Sequence, residues 1–179
     1  MELVTARLRI DVLCPDDASA LFALRSDPAV ARYQGWRPAD LAAADAFIDQ
    51  QSRAAVPCGW FQRAIRLRED GLLIGDLGVN LPEDATESVE FGISLAPSAQ
   101  GRGYAAEAVR ALFDQLFGLW GRHRVHASVD PRNLACLALL RTLGMRQEAH
   151  HRESLWLGGE WVDDMVFAVL SREWPAAPR

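Results

Sequence analysis

Hydrophobic positions along the chain repeat at every second residue in some stretches and at every third or fourth in others. These changes of period mark out the elements. Residues 3–12 alternate, with Leu8, Ile10 and Val12 on one face, which predicts an opening strand. Pro15-Asp16-Asp17 opens a helix through Leu21, Phe22 and Leu24, because aspartate caps the free amides of a first turn. A polar stretch with Pro28 and Pro38 follows, and a second helix is predicted over 38–53. Residues 60–67 and 72–80 read as strands around Glu69-Asp70-Gly71, a hairpin signal, and 89–95 as a third strand ended by Ala96-Pro97. Successive strands without a helix between them predict an antiparallel meander. Ala105, Ala108, Val109, Leu112, Phe113, Leu116 and Phe117 then form one apolar stripe at helical spacing. A strand over 124–130 and a helix over 133–143, stopped by Gly144, come next. Two final strands, 146–157 and 160–170, are joined by Gly158-Gly159. The order is βααβββαβαββ, an α/β (α+β) fold with a mixed, mostly antiparallel central sheet flanked by helices.

The 179 residues contain no internal repeat, low-complexity tract or linker, so one domain spanning 1–179 is expected. With 50% apolar and 24% charged residues the composition excludes intrinsic disorder and allows a sizeable core. The charge balance is 19 cations against 24 anions, net −5, and the cations are scattered, which argues against nucleic-acid binding. All 19 cations are arginine. Arginine forks onto carboxylates or phosphates, and two readings stay open: service of a phosphate-bearing ligand, or genomic codon bias. Cys14, Cys58 and Cys136 are far apart and form no C-x-x-C pair, so reduced thiols are expected rather than a disulfide framework or a zinc site. His123, His126, His150 and His151 form no metal motif, and no metal is assigned. Met1-Glu2-Leu3-Val4 lacks a signal-peptide pattern, and the longest apolar run, 134–140, is far shorter than a membrane span. The expectation is a soluble, cytoplasmic protein without a membrane partner.

Chemistry concentrates in Ser98-Ala99-Gln100-Gly101-Arg102-Gly103-Tyr104-Ala105-Ala106-Glu107-Ala108, between a strand and the strongest helix. Glycines before a helix start let backbone approach a ligand, and the free amides and positive dipole end there favour an anion, usually a phosphate. The plain alternative is a flexible loop whose glycines only turn the chain. Gly101-x-Gly103-x-x-Ala106 satisfies a dinucleotide fingerprint, but that fingerprint needs its first glycine directly after a strand in a βαβ unit. Here residues 96–100 intervene and the preceding elements are a meander.

Gln100-x-x-Gly103-x-Ala105 resembles the signature of the GNAT superfamily of acyl-CoA-dependent N-acyltransferases. The residues 89–95 resemble the strand before that signature, and Val129-Asp130-Pro131-Arg132-Asn133-Leu134-Ala135-Cys136 resembles the family's next strand and its N-x-x-S/A helix. Thr5-Ala6-Arg7-Leu8-Arg9-Ile10, Asp27-Pro28, Trp161-Val162-Asp163-Asp164 and Arg172-Glu173-Trp174 are similar to the RimJ/RimL branch. The resemblance implies acetyl-CoA as cosubstrate and a primary amine as acceptor, a protein N-terminus or a small molecule, with a homodimer implied by the branch. Carried over residue by residue, the amides of Gln100, Gly101, Arg102, Gly103, Tyr104 and Ala105 would bind the pyrophosphate. Backbone groups of Ile93 and Leu95 would pair with the pantetheine arm, and Asn133 would hydrogen-bond near it.

Acyl transfer to an amine needs a base, a donor to the oxyanion, and a proton for the leaving thiolate. Alternation places Glu90, Gly92 and Ser94 opposite the apolar face of Val89, Phe91, Ile93 and Leu95, which makes Glu90 the candidate base and Asp76, one strand over, the reserve. Many family members carry a tyrosine acid seven residues after the asparagine; Leu140 stands there in this chain, and Cys136 becomes the candidate acid. Trp36, Trp60 and Phe61 are candidates to line the acceptor groove, or to pack. The alternative from another class is a non-catalytic acyl-CoA-binding or regulatory module on the same fold.

Overall fold

The computed structural model describes residues 1–52, 58–82 and 88–175. Its strands are β1 (Leu3–Val4), β2 (Leu8–Val12), β3 (Gly59–Leu67), β4 (Leu73–Leu81), β5 (Ser88–Leu95), β6 (Arg124–Val129), β7 (Arg146–Leu157) and β8 (Glu160–Leu170). Its α-helices are α1 (Ala18–Ser26), α2 (Pro28–Ala31), α3 (Leu41–Ser52), α4 (Tyr104–Phe113) and α5 (Leu134–Thr142). The chain departs from βααβββαβαββ in two places. The predicted opening strand folds back on itself, pairing Leu3 with Ile10 and Val4 with Arg9. Its alternation runs through the turn unbroken, because Thr5-Ala6-Arg7 contains neither glycine nor proline to mark a reversal. The polar stretch after α1 also holds the short helix α2, with Pro28 at its start and the Asp27 carboxylate accepting from Ala29 N–H at 2.8 Å. Arg53, predicted to end the second helix, lies outside the described residues.

All eight strands form one sheet in the order β1-β2-β3-β4-β5-β6-β8-β7. Every neighbouring pair is antiparallel except β5 and β6. That parallel contact is brief. It runs from Ser88 opposite Arg124 to Glu90 opposite His126 and stops there. Beyond Glu90, β5 stays on β4 as far as Leu95, while β6 stays on β8 as far as Val129. The two strands therefore part, and the sheet opens in its middle.

The apolar stripe of α4 packs Val109, Leu112 and Phe113 onto one face of the sheet, against Leu8, Ile10, Leu77, Val79, Val89 and Phe91. The helix continues as a π-helical stretch, Asp114–Leu119, which buries Leu116 in the same core. On the opposite face Leu13, Leu21 and Ile48 cluster with Ala64 beneath α1 and α3. Buried ion pairs tie these helices to the strands. Arg25 reaches Asp76 at 2.6 Å, and Arg66 reaches Asp17 at 2.6 Å.

Candidate active site

The start of α4 is braced by the turn between β1 and β2. A 3-10 turn, Pro97–Ala99, leads out of β5, and Gly101 and Gly103 follow with φ of 72° and 81°. Both are in the left-handed region that favours glycine. The first helical bond runs from Glu107 N–H to the Gly103 carbonyl at 3.1 Å, so the amides of Tyr104, Ala105 and Ala106 have no intrahelical acceptor. Arg7 and Thr5 clamp this end. The Glu107 carboxylate accepts from Thr5 Oγ1 at 2.6 Å, Arg7 N–H at 2.9 Å and Arg7 Nε at 2.7 Å. Arg7 Nη1 donates to the Arg102 carbonyl at 3.0 Å, and its guanidinium lies 4.5 Å from the Tyr104 ring centre. Burial would raise the Glu107 carboxyl, but the bonds from Thr5 and Arg7 outweigh it and hold the group below its ordinary value.

Two cavities meet where β5 and β6 part. The larger, about 490 Å³, runs from Gly101, Gly103 and Ala105 along Ile93 and Leu95 to Asn133 and Cys136. The smaller, about 260 Å³, lies between Glu90 and Ser128 and is rimmed by Trp60 and Trp156. Ile93, Asn133, Cys136, Tyr33 and Gln34 line both. Backbone direction is fixed by the ladder. Ala96 N–H bonds the Ile74 carbonyl at 2.8 Å on the β4 side. Alternation then turns the groups of Ile93 and Leu95 the other way, toward the opening.

Glu90 stands at the last paired position, with a side chain 27% exposed. Burial pushes its carboxyl above the ordinary glutamate range, the negative charge of Asp164 adds to that, and a hydrogen bond from Asn80 offsets part of it. His126 Nε2 is 3.9 Å from Glu90 Oε2. Burial and Arg124 hold this imidazole below its usual value, so at neutral pH the contact is not an ion pair. Burial also pushes the Cys136 thiol up to about 11.

The structure brings Glu90, Ile93, Leu95, Gln100, Gly101, Gly103, Tyr104, Ala105, Asn133 and Cys136 to one continuous space, and Arg102 does not line it. Several side chains are already engaged. Gln100 Nε2 donates to the Leu95 carbonyl at 3.0 Å and its own amide to Pro97, so Gln100 braces the loop. The Asn133 carboxamide accepts from Cys136 N–H at 3.1 Å and caps α5. The Arg102 side chain is exposed. Asp76, the reserve base, is 1% exposed and bound to Arg25, out of reach of the cavity. Of the proposed groove aromatics, Trp60 lines the smaller cavity, whereas Phe61 is 2% exposed in the core on the opposite face and Trp36 stacks on Phe47 at 4.3 Å. Sequence reasoning missed Arg7, Tyr33, Gln34, Ser128, Trp156 and Asp164. Arg7 sits in the opening motif and was legible as a fixed residue without a role; the others carry no local signal.

The parted sheet and the amide-bearing helix start define an acyl-CoA-dependent acetyltransferase. The chain belongs to the GNAT family, whose acetyltransferase domain model matches residues 7–146. An uncharacterized N-acetyltransferase of Bacillus licheniformis, p20, is 29% identical over 173 residues, covering 96% of this chain and 97% of its own. A GNAT-family acetyltransferase from Bacillus anthracis superposes with a TM-score of 0.86 at 24% identity, over 97% of this chain and 100% of its own. RimJ of Mycobacterium smegmatis, solved in complex with CoA-disulfide, gives a TM-score of 0.83 at 24% identity, over 94% and 84% of the two chains. Both solved structures share the fold.

Proposed function

We propose that this chain transfers the acetyl group of acetyl-CoA directly to a primary amine, a protein N-terminus or a small molecule, with Glu90 as base. The observation that carries the reading is the meeting of the two cavities at Ile93, Asn133 and Cys136, one leading to the α4 amides and the other to Glu90. The amides of residues 101–105 hold the pyrophosphate, and the backbone of Ile93 and Leu95 holds the pantetheine arm in the gap beside β5. Holding both reactants in this geometry supplies the proximity that direct transfer requires. The amine arrives as an ammonium, and Glu90 accepts its proton, directly or through one water. The freed lone pair attacks the thioester carbonyl; as the tetrahedral intermediate collapses the carbon–sulfur bond breaks, and the second proton of the nitrogen passes through water to the departing sulfur. Cys136 donates a hydrogen bond from its S–H to the departing sulfur.

Acetyl-CoA is expected to raise the unfolding temperature by ligand linkage, whereas NAD leaves it unchanged. An amine panel scored by release of free CoA then tests transfer. Stabilisation by NAD and not by acetyl-CoA reverses the reading of the glycine loop.

A further inference from the structure

Several carboxylates that the fold buries or braces are paired with arginine, and Glu90, which lines the smaller cavity beside β6, is not. Asp17, Asp76, Glu107, Asp130, Glu148 and Glu173 each meet an arginine within 2.9 Å. Glu90 and Asp164 meet none among the described residues. Ser128, on the cavity wall beside Glu90, donates to Asp164 Oδ1 at 2.5 Å. No arginine lines the cavity among the described residues, and Asp130, its other acid, is already held by Arg132. Asp164 does not line the cavity, but its negative charge acts on Glu90, and a cation in the cavity relieves that repulsion.

The aromatic rim has the same character. Trp60 stands opposite Asn80 and Asn80 opposite Glu90, so Trp60 shares Glu90's face. Two strand spacings separate them, about 10 Å. Trp60 is 50% exposed and Trp156 59% exposed. Arg25 and Arg110 lie over Trp36 and Trp174, at 5.9 Å and 5.7 Å from the ring centres. Among the described residues no guanidinium covers Trp60 or Trp156. Trp156 also meets Trp161 in a T-shaped contact at 5.3 Å, and an indole face that no guanidinium covers attracts cations.

The geometry points to an acceptor that is a small aliphatic amine carrying a second positive charge. Its reacting amine sits at Glu90, and its second cation lies against the indole faces of Trp60 and Trp156, within the field of Asp164. The small volume of the space, about 260 Å³, suits such a molecule better than the end of a folded protein. This inference rests on the transfer proposed above and specifies its acceptor.

The test uses the full chain with saturating acetyl-CoA and four acceptors: hexamethylenediamine, hexylamine, aminohexanoate and a tripeptide with a free N-terminus and neutral side chains. The first three share a chain length and differ in the charge at the far end. The diamine is expected to exceed hexylamine in kcat/KM by about tenfold, with aminohexanoate lower still. Trp156→Ala and Asp164→Asn should each lower the diamine-to-hexylamine ratio of kcat/KM about fivefold, a ratio in which any change in the basicity of Glu90 cancels. Trp156 is exposed and Asp164→Asn is nearly isosteric, so both variants retain the fold. Equal kcat/KM for diamine and hexylamine, or the tripeptide ahead of the diamine, overturns this inference while transfer to amines stands. Release of CoA with none of the four overturns both.

Discussion

A glutamate becomes an effective base near neutral pH when its surroundings lift its affinity for a proton, and at Glu90 burial and Asp164 both act in that direction. The ionised form is the working form, so activity is expected to fall as pH drops through this raised value. That acid limb should lie above the ordinary glutamate range, and a pH–rate profile reads it directly. Glu90→Gln should cut kcat/KM about 10²-fold, with acetyl-CoA affinity unchanged, and recover part of the loss at high pH, where the amine deprotonates unaided. Loss of the acid limb in the profile of this variant separates a lost base from a damaged fold. Cys136 presents the opposite case. Its thiol, pushed up to about 11, stays protonated at neutral pH. Handing that proton fully to a thiolate of ordinary basicity, near 8.5, runs uphill. A hydrogen bond to the leaving sulfur is the role that remains. Cys136→Ser is expected to stay close to the parent, and Cys136→Ala to lower kcat by no more than about tenfold.

Among the elements, α4 shows how an N-terminal strand serves a distant loop. The turn between β1 and β2 delivers Thr5 and Arg7 to Glu107, and Arg7 also grips the Arg102 carbonyl inside the glycine loop. The clamp fixes the loop while leaving its amides outward. Arg7→Ala should therefore raise the KM for acetyl-CoA about five- to tenfold and leave kcat within about twofold, as expected when ground-state and transition-state binding are lost equally. Gly103→Glu should act more severely on the same quantity. It strains a left-handed position and brings negative charge to the place proposed for the pyrophosphate. The acetyl-CoA-dependent rise in unfolding temperature measures both effects without reference to the acceptor.

For the whole molecule, the buried ion pairs join fold to site. Asp76 holds Arg25 beneath α1, and Arg25 Nη1 in turn donates to Gln34 at 2.6 Å, a residue that lines both cavities. Asp76→Ala leaves a buried guanidinium without its carboxylate, a loss of about 3–5 kcal/mol. Thermal unfolding should register that loss, and release of Gln34 should raise the acceptor KM in the surviving fold. At Asp17, burial is outweighed by hydrogen bonds from Arg66 and Cys14, so its folded value lies below the unfolded one. Its contribution to stability is present above the unfolded value, near 3.9, and is lost as pH falls through the lower folded one. Acid unfolding of Asp17→Asn should therefore be less steep below about pH 4 than that of the parent.

Local rules carried much of this molecule. The apolar stripe of α4, the meander of β3, β4 and β5, the turn at Gly144 and the two faces of β5 all depend on neighbours within a few residues. Periodicity and glycine conformation report such neighbours, and for the same reason the glycine loop was legible beside the helix it precedes. The reversal at Thr5-Ala6-Arg7 escaped notice because alternation looks the same on both sides of a turn that lacks glycine or proline. Pattern also could not separate Trp60 from Phe61, since one step of the pleat sends them to opposite faces and only the neighbouring strands decide which face is core. The cavity proposed for the acceptor was decided by tertiary structure alone. β6 lies between β5 and β8 and its parallel contact with β5 stops at Glu90; the last hairpin then brings Trp156 to that opening and Asp164 behind Ser128. Those residues stand more than sixty positions from Glu90 in sequence. Whether a carboxylate there meets an arginine or a bare cavity depends on the order of strands, which no local spacing records.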